Sequence, residues 1–365
     1  MNDSYSMKHF FKNLYCTQGQ KFAFRASDRD EYEQWRKEFR GALRERLGLA
    51  VLEQIGAEVR DRPPRLLGET KEDGFLRRKY VMETLPEVFM PFYMLIPDGA
   101  EAGIAPAILA IPAHGANKNT VCGIAETEEE AEKIAEAPDE CYGAVFARKG
   151  YVVFCPDPPG YGERVEPRPA EDVCFLGPQA RTSLECSCKD LAQTAEALGI
   201  SLTALEIWEL QCLLDFACCC SEVSEDEQGK LIGCAGFSGG GQYSMWLAAM
   251  DDRVRLAVVS GYVHGYLDSL LECHLCPCNY APGLWMLGDI SDICCLIAPR
   301  PLFIENGTED VENGPEGISG PKRQAEKIRR AYRLLGREES MIHSTPTGPH
   351  RWYGTCYEFV EDALT

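Results

Sequence analysis

The sequence predicts a doubly wound α/β fold with a mostly parallel sheet, an N-terminal helical extension and an insertion near the active site. Three observations lead there. Short apolar runs such as Ala107–Ala113 and Tyr151–Pro156 have the look of strands buried on both faces. Segments with three- and four-residue apolar spacing alternate with such runs over roughly 250 residues, the pattern of a parallel sheet covered by helices. The composition, 45% hydrophobic and 26% charged over 365 residues, is that of a globular chain able to bury a large core.

In chain order, residues 1–30 are polar and read as an irregular arm. From Asp30 to Leu49, Tyr32, Trp35, Phe39, Leu43 and Leu47 recur at helical spacing, and Gly48 ends the helix. Arm and helix form an extension at 1–70, with a catalytic domain at 71–365. After the Arg62-Pro63-Pro64 break, Phe75–Glu83 and Val88–Ile96 predict a hairpin at the sheet edge. Ala107–Ala113 is a buried strand, Glu126–Ala137 an acidic helix, Ala144–Lys149 a further helical piece and Tyr151–Pro156 a strand. Residues 157–185, rich in Pro, Arg and Glu, leave the alternation, and the excursion as a whole is placed at 163–199. Cys186–Leu198 and Ser201–Cys220 read as helices, the second capped by Ser201. Lys230–Phe237 is a strand, Gly240–Met250 a helix and Arg255–Ser260 a strand. A Cys- and Gly-rich insertion at 261–298 follows. Pro301–Glu305 and Ser340–Ser344 are the last strands, separated by the basic helix Lys322–Leu335 and followed by the closing helix Tyr353–Ala363.

The 37 basic and 57 acidic residues give a net charge of −20. That field repels phosphate, so neither nucleic acid nor an anionic membrane is an expected partner. A homo-oligomer is compatible with the composition. Met1–Lys21 holds no continuous apolar stretch, and no apolar run reaches 18 residues, so a reducing cytoplasm with free thiols is the expectation. The 18 cysteines are then expected to be small buried hydrophobes.

The sharpest motif is Gly236-Phe237-Ser238-Gly239-Gly240, which a strand enters and a helix leaves. Such a turn holds a serine hydroxyl clear of the sheet, and the helix N-terminus behind it favours developing negative charge. A serine nucleophile needs a base. His9 and His114 precede it, His264 and His274 leave no acid between, and His343 lies inside a strand, so His350 in the following loop is the candidate. The acid is expected after Pro301–Glu305, where Asp310 is preferred and Glu309 and Glu305 compete. Oxyanion donors are expected from the backbone N–H of Gly239 and, from the loop after the first buried strand, of Ala116, with Gly115 next.

Several segments carry a family resemblance: His114-Gly115-Ala116-Asn117-Lys118, Asp157–Arg164, Gly236–Gln242, Asn279–Leu284 with Gly288-Asp289, Ala298–Asp310 and His350-Arg351-Trp352. Together they resemble the acetylxylan-esterase-like and dienelactone-hydrolase-like branch of the α/β-hydrolases over roughly residues 30–365. The resemblance implies a metal-independent serine esterase acting on small acyl groups, often on carbohydrate, with Ser238, Asp310 and His350 as its triad. Where that branch often has a second histidine or a tyrosine after His-Gly, this chain has Ala116, which leaves more room beside the scissile group.

The other features have plainer readings. Cys273-His274-x-Cys276-x-Cys278 is too loosely spaced for a zinc site without a second ligand pair, and no metal or cofactor is expected. Asp157, Glu163 and Arg164 are either loop-fixing ion pairs or a pocket wall. Trp208 and Trp246 are core. His114, Tyr262 and Trp285 are candidate substrate-binding residues, His114 more as a loop-shaping group than a catalyst. Competing functions are a serine peptidase of prolyl-oligopeptidase type, for which the chain before the first buried strand is too short to build a propeller, and a non-catalytic binding protein on the same fold.

Overall fold

The computed structural model describes residue 5 and residues 7–99, 105–167, 184–273 and 275–364. Among them a nine-stranded sheet forms from β1 (Arg65–Glu72), β2 (Phe75–Leu85), β3 (Val88–Pro97), β4 (Ala107–Ile111), β5 (Val152–Pro156), β6 (Ile232–Phe237), β7 (Leu256–Ser260), β8 (Leu302–Glu305) and β9 (Met341–Ser344). Their spatial order is β1-β2-β3-β5-β4-β6-β7-β8-β9. The first three strands form an antiparallel meander joined antiparallel to β5, and every pairing from β5 to β9 is parallel. β4, β5, β6 and β7 are buried along their whole length, because helices cover both faces.

Helices Arg29–Leu47, Leu202–Cys219, Gly239–Met250 and Ser319–Leu334 share one core with the apolar face of the sheet; Tyr142–Arg148 and Tyr357–Leu364 pack on the other face. Leu202–Cys219 and Gly239–Met250 bury nearly every side, Trp208 and Trp246 included, so neither shows a polar stripe. Ser201 caps the first of them, its Oγ accepting from the Ala204 N–H at 3.1 Å.

The structure departs from the sequence-based expectations at the N-terminal end. Met7–Gln18 is a helix rather than irregular chain. It buries only Tyr15, against Trp285 of the insertion, so it carries no continuous apolar stripe to betray it. Leu49–Gly56 continues as a second helix directly beyond the Gly48 cap. β1 escaped notice because it is exposed along almost its entire length and lacks the alternation of a half-buried strand. It is β1 that forms the sheet edge, with the β2–β3 hairpin inside it, and the boundary expected between residues 70 and 71 falls within this strand. Nor does the extension fold apart from the rest. The Tyr32 hydroxyl donates to the Ala298 carbonyl at 2.6 Å, and Arg40 Nε to that of Ala249 at 2.7 Å. Of the excursion at 163–199, residues 168–183 lie outside the described residues.

Two buried charges fix the loops at the C-terminal edge of the parallel strands. Lys118, after β4, places Nζ 2.8 Å from Asp157 Oδ2 and 2.5 Å from Glu163 Oε1, while its backbone N–H donates to Asp157 Oδ1 at 2.9 Å. Arg164 in turn holds Glu209 at 2.5 Å. The Lys118 and Asp157 side chains are 1% and 0% exposed, so removing either strands a buried charge. Lys118→Met is expected to lower the unfolding free energy by about 3–5 kcal/mol. An unchanged urea midpoint would show that the pair holds nothing together.

Candidate active site

β6 runs into Ser238, whose backbone is left-handed at φ 53°, ψ −118°, and the helix Gly239–Met250 starts at the next residue. A non-glycine residue there costs about 1–3 kcal/mol, and only fixed surroundings maintain it. Those surroundings are unusually close. A Cβ on Gly236 would meet the Gly240 backbone at 2.3 Å, and one on Gly240 would meet the Ile111 carbonyl at 2.0 Å. Two glycines therefore let the helix sit directly on the strand and aim its free N–H groups at Ser238.

His350 stands in the loop after β9 with its ring 4.5 Å from that of Phe237, next to Ser238 in the chain. Its Nδ1 is 2.6 Å from Asp310 Oδ2. A carboxylate only accepts, so Nδ1 carries the hydrogen and Nε2 is left as the basic nitrogen. Asp310 is buried, and its other oxygen accepts from the Glu312 N–H at 2.8 Å. The competing acids face elsewhere. Glu309 is exposed, and Glu305 is occupied by Ser260 Oγ, the Tyr353 and Thr355 N–H groups and Thr355 Oγ1. His343 bonds to Asn306 at 3.1 Å, and burial pushes its pKa down to about 4.

His350 Nε2 is buried and has no hydrogen-bond partner, so the link to Ser238 Oγ is not closed in this structure. Such links tighten when substrate binds. Its acidic neighbour is Glu312 Oε2 at 3.7 Å, a residue the sequence analysis did not single out. Its position two residues beyond Asp310 was the available signal.

Ser238 opens on a cavity of about 270 Å³ lined by His114, Cys186, Gly239, Gln242, Tyr262, Leu275, Cys276, Asn279 and Glu312. His114 and Tyr262, the candidate substrate-binding residues, both line it, with the Tyr262 hydroxyl donating to Asn279 Oδ1 at 2.7 Å. Trp285 does not. It stacks on Tyr266 and meets Tyr15 in a separate hollow under the N-terminal helix. Ala116 is also displaced from its expected role, because its N–H already donates to the Ala113 carbonyl at 3.1 Å in a tight turn. The His114 and Gly115 N–H groups have no acceptor among the described residues, and the His114 nitrogen lies 3.3 Å from where a Gly239 Cβ would be.

The cysteines are not uniformly the small buried hydrophobes expected, since Cys16 and Cys219 are exposed. Cys212, Cys220 and Cys234 are packed in the core, and burial pushes each thiol up to about 12. Another group stands beside the candidate catalytic residues. Cys186 and Cys276 line the Ser238 cavity, and Cys188, Cys276 and Cys278 converge with His114 so that one donor atom from each lies within 4.8 Å of all the others.

An open, mostly parallel sheet with a positive-φ serine at the exit of its sixth strand and an Asp–His pair beside that exit defines an α/β-hydrolase. The chain belongs to the Abhydrolase family, whose model matches residues 6–264. That match includes Ser238 and stops short of Asp310 and His350. No curated protein sequence matches the chain. Among solved structures, it is similar to a candidate acetyl xylan esterase from Bacteroides fragilis, at 20% identity and a TM-score of 0.69, covering 93% of this chain and 82% of that one. Methylesterase BT1017 is similar at 19% identity and a TM-score of 0.66, over 98% of this chain and 66% of its own length. A glucuronoyl esterase from Solibacter usitatus follows at 16% identity and a TM-score of 0.61, over 95% of both chains. At these identities the likeness is one of fold.

Burial alone would lower the pKa of His350, but the Asp310 hydrogen bond and the charges of Glu312 and Asp310 outweigh it, and the net shift is upward from 6.5. The pair's contribution to stability is then complete below 6.5 and fades as pH rises through the raised value. A base must be neutral, so ester hydrolysis is expected to climb through that same pKa. Glu312→Gln should move this acid limb to lower pH in a kcat/KM profile. A limb that stays in place would show that Glu312 does not act on His350.

Proposed function

We propose that this protein is a serine carboxylic-ester hydrolase that works through an acyl-enzyme. The observation that carries the reading is the strained Ser238 at the end of β6, paired with a His350–Asp310 couple whose Nε2 is free to take a proton. Ser238 Oγ attacks the ester carbonyl and its proton passes to His350 Nε2, while Asp310 holds the ring and stabilises the imidazolium. The Gly239 N–H, with that of His114 in place of Ala116, receives the oxyanion. The alcohol leaves with the proton from His350, and water clears the acyl group by the same steps in reverse.

The cavity favours a small, uncharged acyl group of acetyl type. It measures about 270 Å³, and its described lining contains an acid, Glu312, but neither lysine nor arginine. An ester of a carbohydrate is the substrate class we infer, supported by the names of the structurally similar proteins, an acetyl xylan esterase candidate and glucuronoyl esterases.

Hydrolysis of p-nitrophenyl acetate tests the reaction. Ser238→Ala is expected to lose at least ~10³-fold in kcat and to stop accumulation of an acetylated protein in quenched mass spectra. Wild-type turnover no faster than this variant's would refute the proposal. For the acid, Asp310→Asn should cost on the order of 10⁴-fold in kcat, with Glu309→Gln near wild type. The reverse order would transfer the role to Glu309.

A further inference from the structure

We propose that His114, Cys188, Cys276 and Cys278 bind one zinc ion, and that this ion clamps the walls of the Ser238 cavity. The four residues come from three separated parts of the chain: the loop after β4, the first turn of the helix Cys188–Ala197, and the insertion between β7 and β8. Local sequence did not bring them together; the fold did. Their donor atoms lie within 4.8 Å of one another. A tetrahedron of ligands about 2.0–2.3 Å from zinc has edges of roughly 3.3–3.8 Å, so little adjustment is required.

The sulfur spacings are tighter than packing would leave them. Cys188 Sγ is 3.2 Å from both Cys276 Sγ and Cys186 Sγ, whereas even carbon atoms pack at about 3.5–4.0 Å. His114 Nε2 lies at hydrogen-bond distance, 3.2 Å, from Cys278 Sγ. A disulfide could account for two of the thiols, leaving a third thiol and an imidazole aimed at the same point. Three sulfurs and one nitrogen are a donor set suited to zinc, and soft thiolates disfavour magnesium or calcium. An iron–sulfur cluster would need its cysteines farther apart. Outer contacts already hold the ligands. Asn279 Nδ2 donates to Cys278 Sγ at 3.5 Å, and Thr203 Oγ1 donates to the Cys278 carbonyl at 3.1 Å.

On binding, three S–Zn bonds and one N–Zn bond form, three thiol protons pass to solvent, and no oxidation state changes. Four protein ligands leave no position for water or substrate, so the ion is structural rather than a Lewis acid. It nevertheless reaches the chemistry. A Cβ on Gly239 would lie 2.5 Å from His114 Nδ1, which places the coordinated ring directly on the residue that follows Ser238. Fixing His114 therefore fixes one side of the proposed oxyanion site, and fixing Cys276 and Cys278 fixes the opposite wall. The sequence-based expectation of no metal is reversed by this proposal. What concealed the site was the distance in sequence of His114 and Cys188 from the Cys276–Cys278 pair.

Metal analysis of the reduced full-length protein, purified without chelator, tests the site, together with zinc X-ray absorption on the same sample. One zinc per chain with a first shell of three sulfurs and one nitrogen is expected. Cobalt loading of the stripped protein should give the intense visible bands of a tetrahedral thiolate site. Cys278→Ser should lose the ion, whereas Cys273→Ser, outside the four-atom group, should retain it. Because Cys278→Ser could fail to fold, the absorption spectrum of wild type decides independently. No uptake of zinc or cobalt, a first shell of other composition, or a Cys188–Cys276 disulfide in non-reducing peptide maps would overturn the proposal. Ser238→Ala is expected to keep its zinc, so failure of the hydrolase reading and failure of the metal site are told apart.

Discussion

The arrangement of this molecule depends on the close approach of the helix Gly239–Met250 to two strands, the one it leaves and the neighbouring β4. Gly236 and Gly240 admit backbone atoms to a distance at which no Cβ could stand. The tight turn that results forces Ser238 into a left-handed conformation, and its cost must be recovered from the surroundings. The surroundings are rigid enough for this. β4, β6 and β7 are buried on both faces, and the Ser238 N–H is tied to the Ser260 carbonyl of β7 at 2.9 Å.

Loops have no such sheet to hold them, and the chain fixes them with polar groups instead. Lys118, Asp157 and Glu163 lock the exits of β4 and β5 together. Glu305, buried at the end of β8, spends its oxygens on Ser260, Tyr353 and Thr355, and so anchors the segment that carries His350. Asp310 then orients the ring itself. At the Ser238 cavity the same task falls to the thiol–imidazole cluster, where three chain segments meet. A metal clamp there would complete a pattern in which each loop around Ser238 is held by a different kind of polar anchor.

Much of the fold was legible because burial imposes periodicity. Strands buried on both faces gave continuous apolar runs, and helices such as Arg29–Leu47 gave an apolar stripe ended by Gly48. β1 and the helix Met7–Gln18 escaped because they are largely exposed, and exposure leaves no periodic trace. The same distinction governs the site. Ser238 is marked by glycines that its turn requires and the order of elements points to His350, whereas Asp310 parts from Glu309 and Glu305 only through the contacts each makes. Ala116 could not be judged from its place in a motif, since whether an N–H is free depends on a turn one residue earlier. Trp285 misled for a related reason: membership of the insertion does not say which way a ring faces.

The cysteines bring out where that boundary lies. By itself the sequence determined the buried strands of the sheet, the nucleophile turn and the candidate base, because each follows from local geometry or from the order of elements along the chain. What only the tertiary structure decided was proximity between distant segments: Glu312 beside His350, and three thiols gathered on His114 at the rim of the Ser238 cavity. Ligand convergence is a property of how loops pack in space, and residues 114, 188 and 276–278 carry no shared period or spacing that could encode it in one dimension.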